Sequence, residues 1–181
     1  GARAYEAIFN INQTGTGVKL LVQADSGGSR SPNWVNGLYF GRPGFHDLIG
    51  GWVVHPYGPQ ARWQPKLDDV IAHTAANGAP ATIPIDATEY GISTDNGRAL
   101  TDNYGHPVNL TYAQAAAALD QNVAAIRAYL GDRLQHFIIY SAHDLRAPGF
   151  GTPPVDREWY FRGLQDDLEP KGAYRAQVED V

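Results

Sequence analysis

The run "IPIDATEYGIST", Ile83 to Thr94, begins as an apolar strand and places one carboxylate, Glu89, where the chain leaves that strand for Gly, Ser, Thr and Asp. A carboxylate at such an exit is held by neighbouring strands and can still face a substrate as nucleophile, acid or base. A solvated loop acid fits the same spacing. A second exit, "WVVHPYG", carries His55 and Tyr57. An imidazole and a phenol there can hydrogen-bond a nearby carboxylate and fix its ionisation. A histidine satisfied at a proline turn is the blander reading. Two further runs end in groups able to bind hydroxyls or cap a loop: Asp25 in "VKLLVQADS", and Tyr140, His143 and Asp144 in "LQHFIIYSAHD".

The same residues make a poor metal site. His55, Glu89, His143 and Asp144 could converge, but the sequence has no short-spaced ligand pair such as HExxH. No GxGxxG opens a helix, and neither a P-loop nor a GxSxG elbow occurs. Nucleotide-dependent and serine-hydrolase chemistry therefore lack their local requirements. No cofactor or metal is expected.

The elements that must position these groups are four apolar runs, starting at Val18, Leu48, Ala81 and Leu134. They lack clean alternation, as strands buried on both faces do. "PKLDDVIAHTAANG" predicts a helix from Pro65 to the stop at Gly78. "TYAQAAAALDQNVAAIRAYLGD" predicts a second. There Thr111 and Gln114 have capping-box spacing, Leu119, Val123, Ile126 and Leu130 recur every three or four residues, and Gly131 ends the run. Shorter helices are expected over Ala2–Asn10 and around Trp34–Tyr39, and a long Pro/Gly loop from Arg146. Strands alternating with helices imply right-handed βαβ units and a parallel sheet, whose ligands gather at the carboxyl ends of the strands. Every residue singled out above sits at such an end.

With 181 residues, no repeat and no linker, residues 1–181 read as a single domain. A net charge of −5 with scattered basic residues argues against nucleic acid as a partner. No apolar run approaches a membrane span, and the N-terminal residues lack the features of a signal peptide. Cysteine is absent, which excludes disulfides and thiolate metal sites. Four Trp and ten Tyr stand out. Most such rings fill cores, but Trp34, Trp52 and Trp63 are candidates to stack on sugar rings, with Trp52 equally suited to the core.

Taken together, "WVVHPYG", then "IDATEYGIST", then a helix opening "LTYAQAAAAL" resemble the later part of the clan A retaining (β/α)8-barrel glycoside hydrolases, which include xylosidases, arabinofuranosidases and endoglucanases. The ending "WYFRGLQDDLEPKGAYRAQVED" is similar to the close of many such barrels, with Gly172 where a second Pro is common. The resemblance runs from about Val18 to the C-terminus. It implies an α/β fold of (β/α)8 TIM-barrel type, represented by about half a barrel with parallel strands five to eight. It also implies hydrolysis of O-glycosidic bonds in an oligo- or polysaccharide, Glu89 as nucleophile, and His55 and Tyr57 as its supporting pair. Thr88 and Tyr90 would brace Glu89, and "GIST", Gly91 to Thr94, would form the rim. Secretion follows only by analogy with polysaccharide-degrading enzymes.

Retaining chemistry needs a second carboxyl group about 5 Å from the first. In this clan it is a Glu after Asn at the end of the fourth strand, and no Asn-Glu pair occurs here. Glu6 falls in an expected helix, while Glu158, Glu169 and Glu179 follow the last strand. A whole barrel takes about 250 residues. Three readings fit: a piece whose first half lies elsewhere, a half-barrel that pairs with another chain or a second copy, or a reduced protein that binds carbohydrate without catalysis. The first is favoured, because an isolated half-barrel leaves two edge strands and one sheet face uncovered.

Overall fold

The computed structural model describes residues 7, 10, 20–25, 31–98 and 100–140. Most of the expected helix at residues 2–10, His143, Asp144, the loop from Arg146 and the tail from Trp159 lie outside the described residues. The strands are β1 (Leu21–Asp25), β2 (Gly51–Val54), β3 (Ile85–Tyr90) and β4 (Phe137–Ile139). The helices are α1 (Ser31–Gly41), α2 (Gln60–Ala76) and α3 (Tyr112–Leu130), with short 3-10 turns at Phe45–Leu48 and Gly131–Arg133. The four strands form one sheet in the order β1-β2-β3-β4, and β1–β2 and β2–β3 pair in parallel. The predicted α/β fold with a parallel sheet is present.

The chain divides into two compact units of interleaved segments. One comprises residues 1–56, 64–88 and 130–136; the other comprises residues 57–63, 89–129 and 137–181.

In the first unit, register puts Val22 beside Trp52 and Trp52 beside Ile85. Paired residues of a parallel ladder share a face, and all three are buried. On β1 the alternate residues Leu21 and Gln23 are exposed. Burial on both faces was expected; β1 instead alternates, with one face packed and the other open. Behind the packed face, Trp52 meets Phe45 at a ring-centroid distance of 5.9 Å and Tyr39 at 6.2 Å. The hydroxyl of Tyr39, Nδ1 of His46 and Nε1 of Trp52 are buried without hydrogen-bond partners. Burial, helped by the charge of Asp47, pushes the Tyr39 phenol up to about 12.

Asp86, fully buried on β3, clips the approach to β4. Its Oδ1 accepts the main-chain N–H groups of Gln135 and His136 at 2.8 Å each, and its Oδ2 lies 2.9 Å from Nδ1 of His136. An acceptor-only carboxylate is thus satisfied on both oxygens, as burial of a charge requires.

In the second unit α3 is built as its sequence predicts. The Thr111 N–H donates to Oε1 of Gln114 at 2.9 Å, and the Gln114 N–H donates to Oγ1 of Thr111 at 3.3 Å, which completes a capping box. Leu119, Val123, Ile126 and Leu130 are all buried, and Gly131 ends the helix in the left-handed region at φ 54°.

Helix α2 departs from expectation. It begins at Gln60, so Pro65 lies inside it rather than at its start. A proline there removes one main-chain donor and weakens the first turns. Two features hold them nonetheless. The Pro59 carbonyl accepts the N–H groups of Arg62 and Trp63 at 2.8 and 3.1 Å. Trp63 is fully buried and donates from Nε1 to Oδ1 of Asn122 on α3 at 3.1 Å. Burial of one large ring is worth roughly 1.5–3 kcal/mol, comparable to the cost of the proline.

Candidate active site

Glu89 is the fifth residue of β3 and is partly exposed. The Tyr57 hydroxyl donates to its Oε2 at 3.1 Å. Two residues far apart in sequence therefore meet at the end of this strand, both in the second unit. A phenol donating to a carboxylate fixes the rotation of the carboxyl group.

Tyr57 is held by aromatic stacking. Its ring lies nearly parallel to Tyr104 at 4.7 Å and to Tyr90 at 6.2 Å between centroids. The guanidinium of Arg62 sits 5.7 Å from the Tyr104 ring centre, within cation–π range. Tyr90 is fully buried and donates its hydroxyl to the Gly58 carbonyl at 3.2 Å. Gly58 itself has φ 106°, and a Cβ there would come within 2.6 Å of the Tyr104 carbonyl oxygen. Only glycine fits that turn.

Tyr104 belongs to the long segment between β3 and α3, which is internally bonded. Asn103 is buried, accepts the Ser93 N–H on Oδ1 at 3.0 Å, and donates to the Ser93 and Pro107 carbonyls at 2.9 and 3.1 Å. Asp95 accepts the N–H groups of Arg98 and Leu100, each at 2.9 Å. Thr94 donates to the Leu110 carbonyl at 2.7 Å. The stretch Gly91–Thr94 was expected as a rim; it is buried, and both main-chain groups of Ser93 within it are bonded to the Asn103 side chain. His106, also buried, has Nε2 3.5 Å from the Tyr90 hydroxyl. Burial holds its imidazole down at about 4, against the smaller upward pull of the Gly58 main chain. It is therefore neutral near pH 7.

The remaining candidates are placed as follows. Tyr140 lies just past β4, and its N–H donates to the Tyr90 carbonyl at 2.8 Å. His55 follows β2 directly and is partly exposed, and Asp25 ends β1; both belong to the first unit. Trp52 and Trp63 have no exposed surface, so neither can stack on a sugar: their strand and helix positions turn them into the packed face and toward α3. Trp34 is exposed, with Nε1 donating to the Gln23 carbonyl at 2.9 Å. Sequence reasoning missed Tyr104, His106 and Asn103. Their only signal is the turn-rich "TDNYGHPVN", in which a Gly-His-Pro step and an Asn mark a structured loop.

No family model and no curated protein matches the chain. Solved structures do match in fold. A GH2 β-galacturonidase from Eisenbergiella tayi bound to galacturonate superposes with a TM-score of 0.60 at 16% identity, over 99% of this chain and 30% of that one. CbXyn10B, a xylanase, gives 0.58 at 17% over 100% of this chain and 54% of that one. A β-glucuronidase from Ruminococcus gnavus in complex with D-glucuronic acid gives 0.56 at 13%, over 99% and 29%. The chain has the fold of part of a (β/α)8 barrel, which it shares with these proteins. It spans between 29 and 54% of the length of these proteins. In this partial barrel, Glu89 and Tyr57 occupy the carboxyl-terminal side of the sheet, the side on which barrels of this type carry their sites.

Proposed function

We propose that the chain supplies the nucleophile-bearing part of a retaining glycoside hydrolase acting on an oligo- or polysaccharide. The observation that carries this reading is the hydrogen bond from Tyr57 to Glu89 at the tip of β3. In the proposed reaction a Glu89 oxygen attacks the anomeric carbon while the bond to the leaving oxygen breaks. That oxygen takes a proton from an acid/base carboxyl supplied from outside this chain. Water then attacks the glycosyl ester, gives its proton to the same acid/base group, and releases Glu89 as carboxylate. Two inversions give net retention. Tyr57 keeps Glu89 oriented before attack. The exposed Leu21 and Gln23 on the open face of β1 support a covering partner, either the other barrel half or a second copy.

The test uses full-length protein carrying this chain and a panel of 4-nitrophenyl glycosides. Glu89→Ala is expected to lose turnover by several orders of magnitude, because the covalent route is removed. Added azide, a small external nucleophile, should restore product release as a glycosyl azide of inverted configuration. Equal turnover by both proteins would reject the assignment. Saturable sugar binding with no turnover by the unaltered protein would favour a binding role.

A further inference from the structure

We propose that Tyr104 is a positioning residue for the reaction: its ring, stacked on that of Tyr57, sets the hydrogen bond from Tyr57 to Glu89. This inference rests on the reading of Glu89 given above.

The Tyr57 hydroxyl donates to Oε2 of Glu89 at 3.1 Å, and such a bond tolerates little drift of the ring that carries it. Tyr104 meets Tyr57 and its surroundings in two ways. Ring lies on ring, 4.7 Å apart between centroids and 17° from parallel. A parallel stack resists tilting of either ring, and so confines the arc open to the Tyr57 hydroxyl. Main chain lies on main chain at the next residue, Gly58, where a Cβ would come within 2.6 Å of the Tyr104 carbonyl oxygen. The following step is close as well: a Cβ on Gly105 would lie 3.5 Å from Cδ of Pro59. Tyr104 is thus packed against both the ring of Tyr57 and the turn that follows it. Its own conformation carries a cost. At φ 51° it occupies the left-handed region, where glycine or asparagine sits with less strain than an aromatic residue. Turning the chain does not call for a tyrosine there. What the tyrosine adds is a half-buried flat ring, which meets Tyr57 and, at 5.7 Å, the Arg62 guanidinium. The strain is retained where that ring stacks on Tyr57, as strained residues at functional sites are.

A double-mutant cycle tests the proposal in full-length protein, on the 4-nitrophenyl glycoside that the unaltered protein cleaves fastest. Tyr104→Asn keeps a residue suited to the left-handed turn and removes the ring. It should lower kcat/KM about tenfold, chiefly in kcat, the scale of one hydrogen bond. In a Tyr57→Phe background the same change should have less than about a twofold effect, because the bond it positions is already gone. Tyr104→Phe, which keeps the stacking ring, should stay within about threefold of the unaltered protein. Should the asparagine variant fail to fold, Tyr104→Gly, which takes the same conformation without a Cβ, replaces it in the cycle. Three results would each overturn the role of Tyr104 while leaving Glu89 as nucleophile: equal fold-losses in both backgrounds, a phenylalanine variant as slow as the asparagine variant, or a lower unfolding midpoint with kcat unchanged. Full turnover by Glu89→Gln, or no turnover of any glycoside by the unaltered protein, would instead remove the reading beneath it, and this role with it.

Discussion

Asn103 grips Ser93 by both of its main-chain groups, accepting its N–H and donating to its carbonyl. A side-chain amide used in this way imitates a neighbouring strand. It ties the loop that carries Tyr104 and His106 to the residues that leave β3 just after Glu89. The aromatic stack on Tyr57 depends on that tie.

Replacing Asn103 with Ala would leave the buried N–H and carbonyl of Ser93 without these partners. Each such group costs about 1–3 kcal/mol, so a loss on the order of 3 kcal/mol is expected in denaturant unfolding. The Ser93 amide should also exchange with solvent faster. A change within 0.5 kcal/mol would mean that the loop is held elsewhere.

His106 makes stability depend on pH in a stated direction. Its imidazole titrates near 4 in the fold, against 6.5 when free. Above pH 6.5 both states are neutral and the contribution is full. As pH falls, the unfolded chain takes up the proton first. Stability is therefore lost between about 6.5 and 4, by roughly 3 kcal/mol in all. Urea unfolding of the protein and of His106→Gln across that window should give curves that diverge towards acid. Parallel curves would contradict the burial of a neutral imidazole.

Tyr39 offers the opposite kind of test. Its hydroxyl is buried with no partner, while its ring packs against Phe45, His46 and Trp52. Tyr39→Phe keeps those contacts and removes an unsatisfied group, so stability should stay level or rise by about 1 kcal/mol. A loss of that size, read as a lower denaturation midpoint, would show that the hydroxyl does have a partner.

The parts of the fold legible in sequence were those that local chemistry decides. Thr111 and Gln114 announced the cap of α3, the spacing of Leu119 to Leu130 its buried stripe, and Gly131 its end. The start of α2 was not legible, since Pro65 is a strong local signal for a first turn. What overrides it is tertiary: Trp63 finds Asn122 on α3. Trp52 was ambiguous because a tryptophan in a strand reads the same whichever face it occupies; register with Val22 and Ile85 decides it. Glu89 and Tyr57 stood out because each sits at a strand exit. Asn103 did not, because its partners are main-chain groups, and the N–H and carbonyl of Ser93 leave no mark in the sequence.

The most direct test of the central claim is mass spectrometry of full-length protein quenched during turnover of a slow 2-deoxy-2-fluoro glycoside. The account predicts one glycosyl adduct on Glu89, within the peptide spanning β3. An adduct on another carboxylate, or product released with inverted configuration and no adduct, would contradict it.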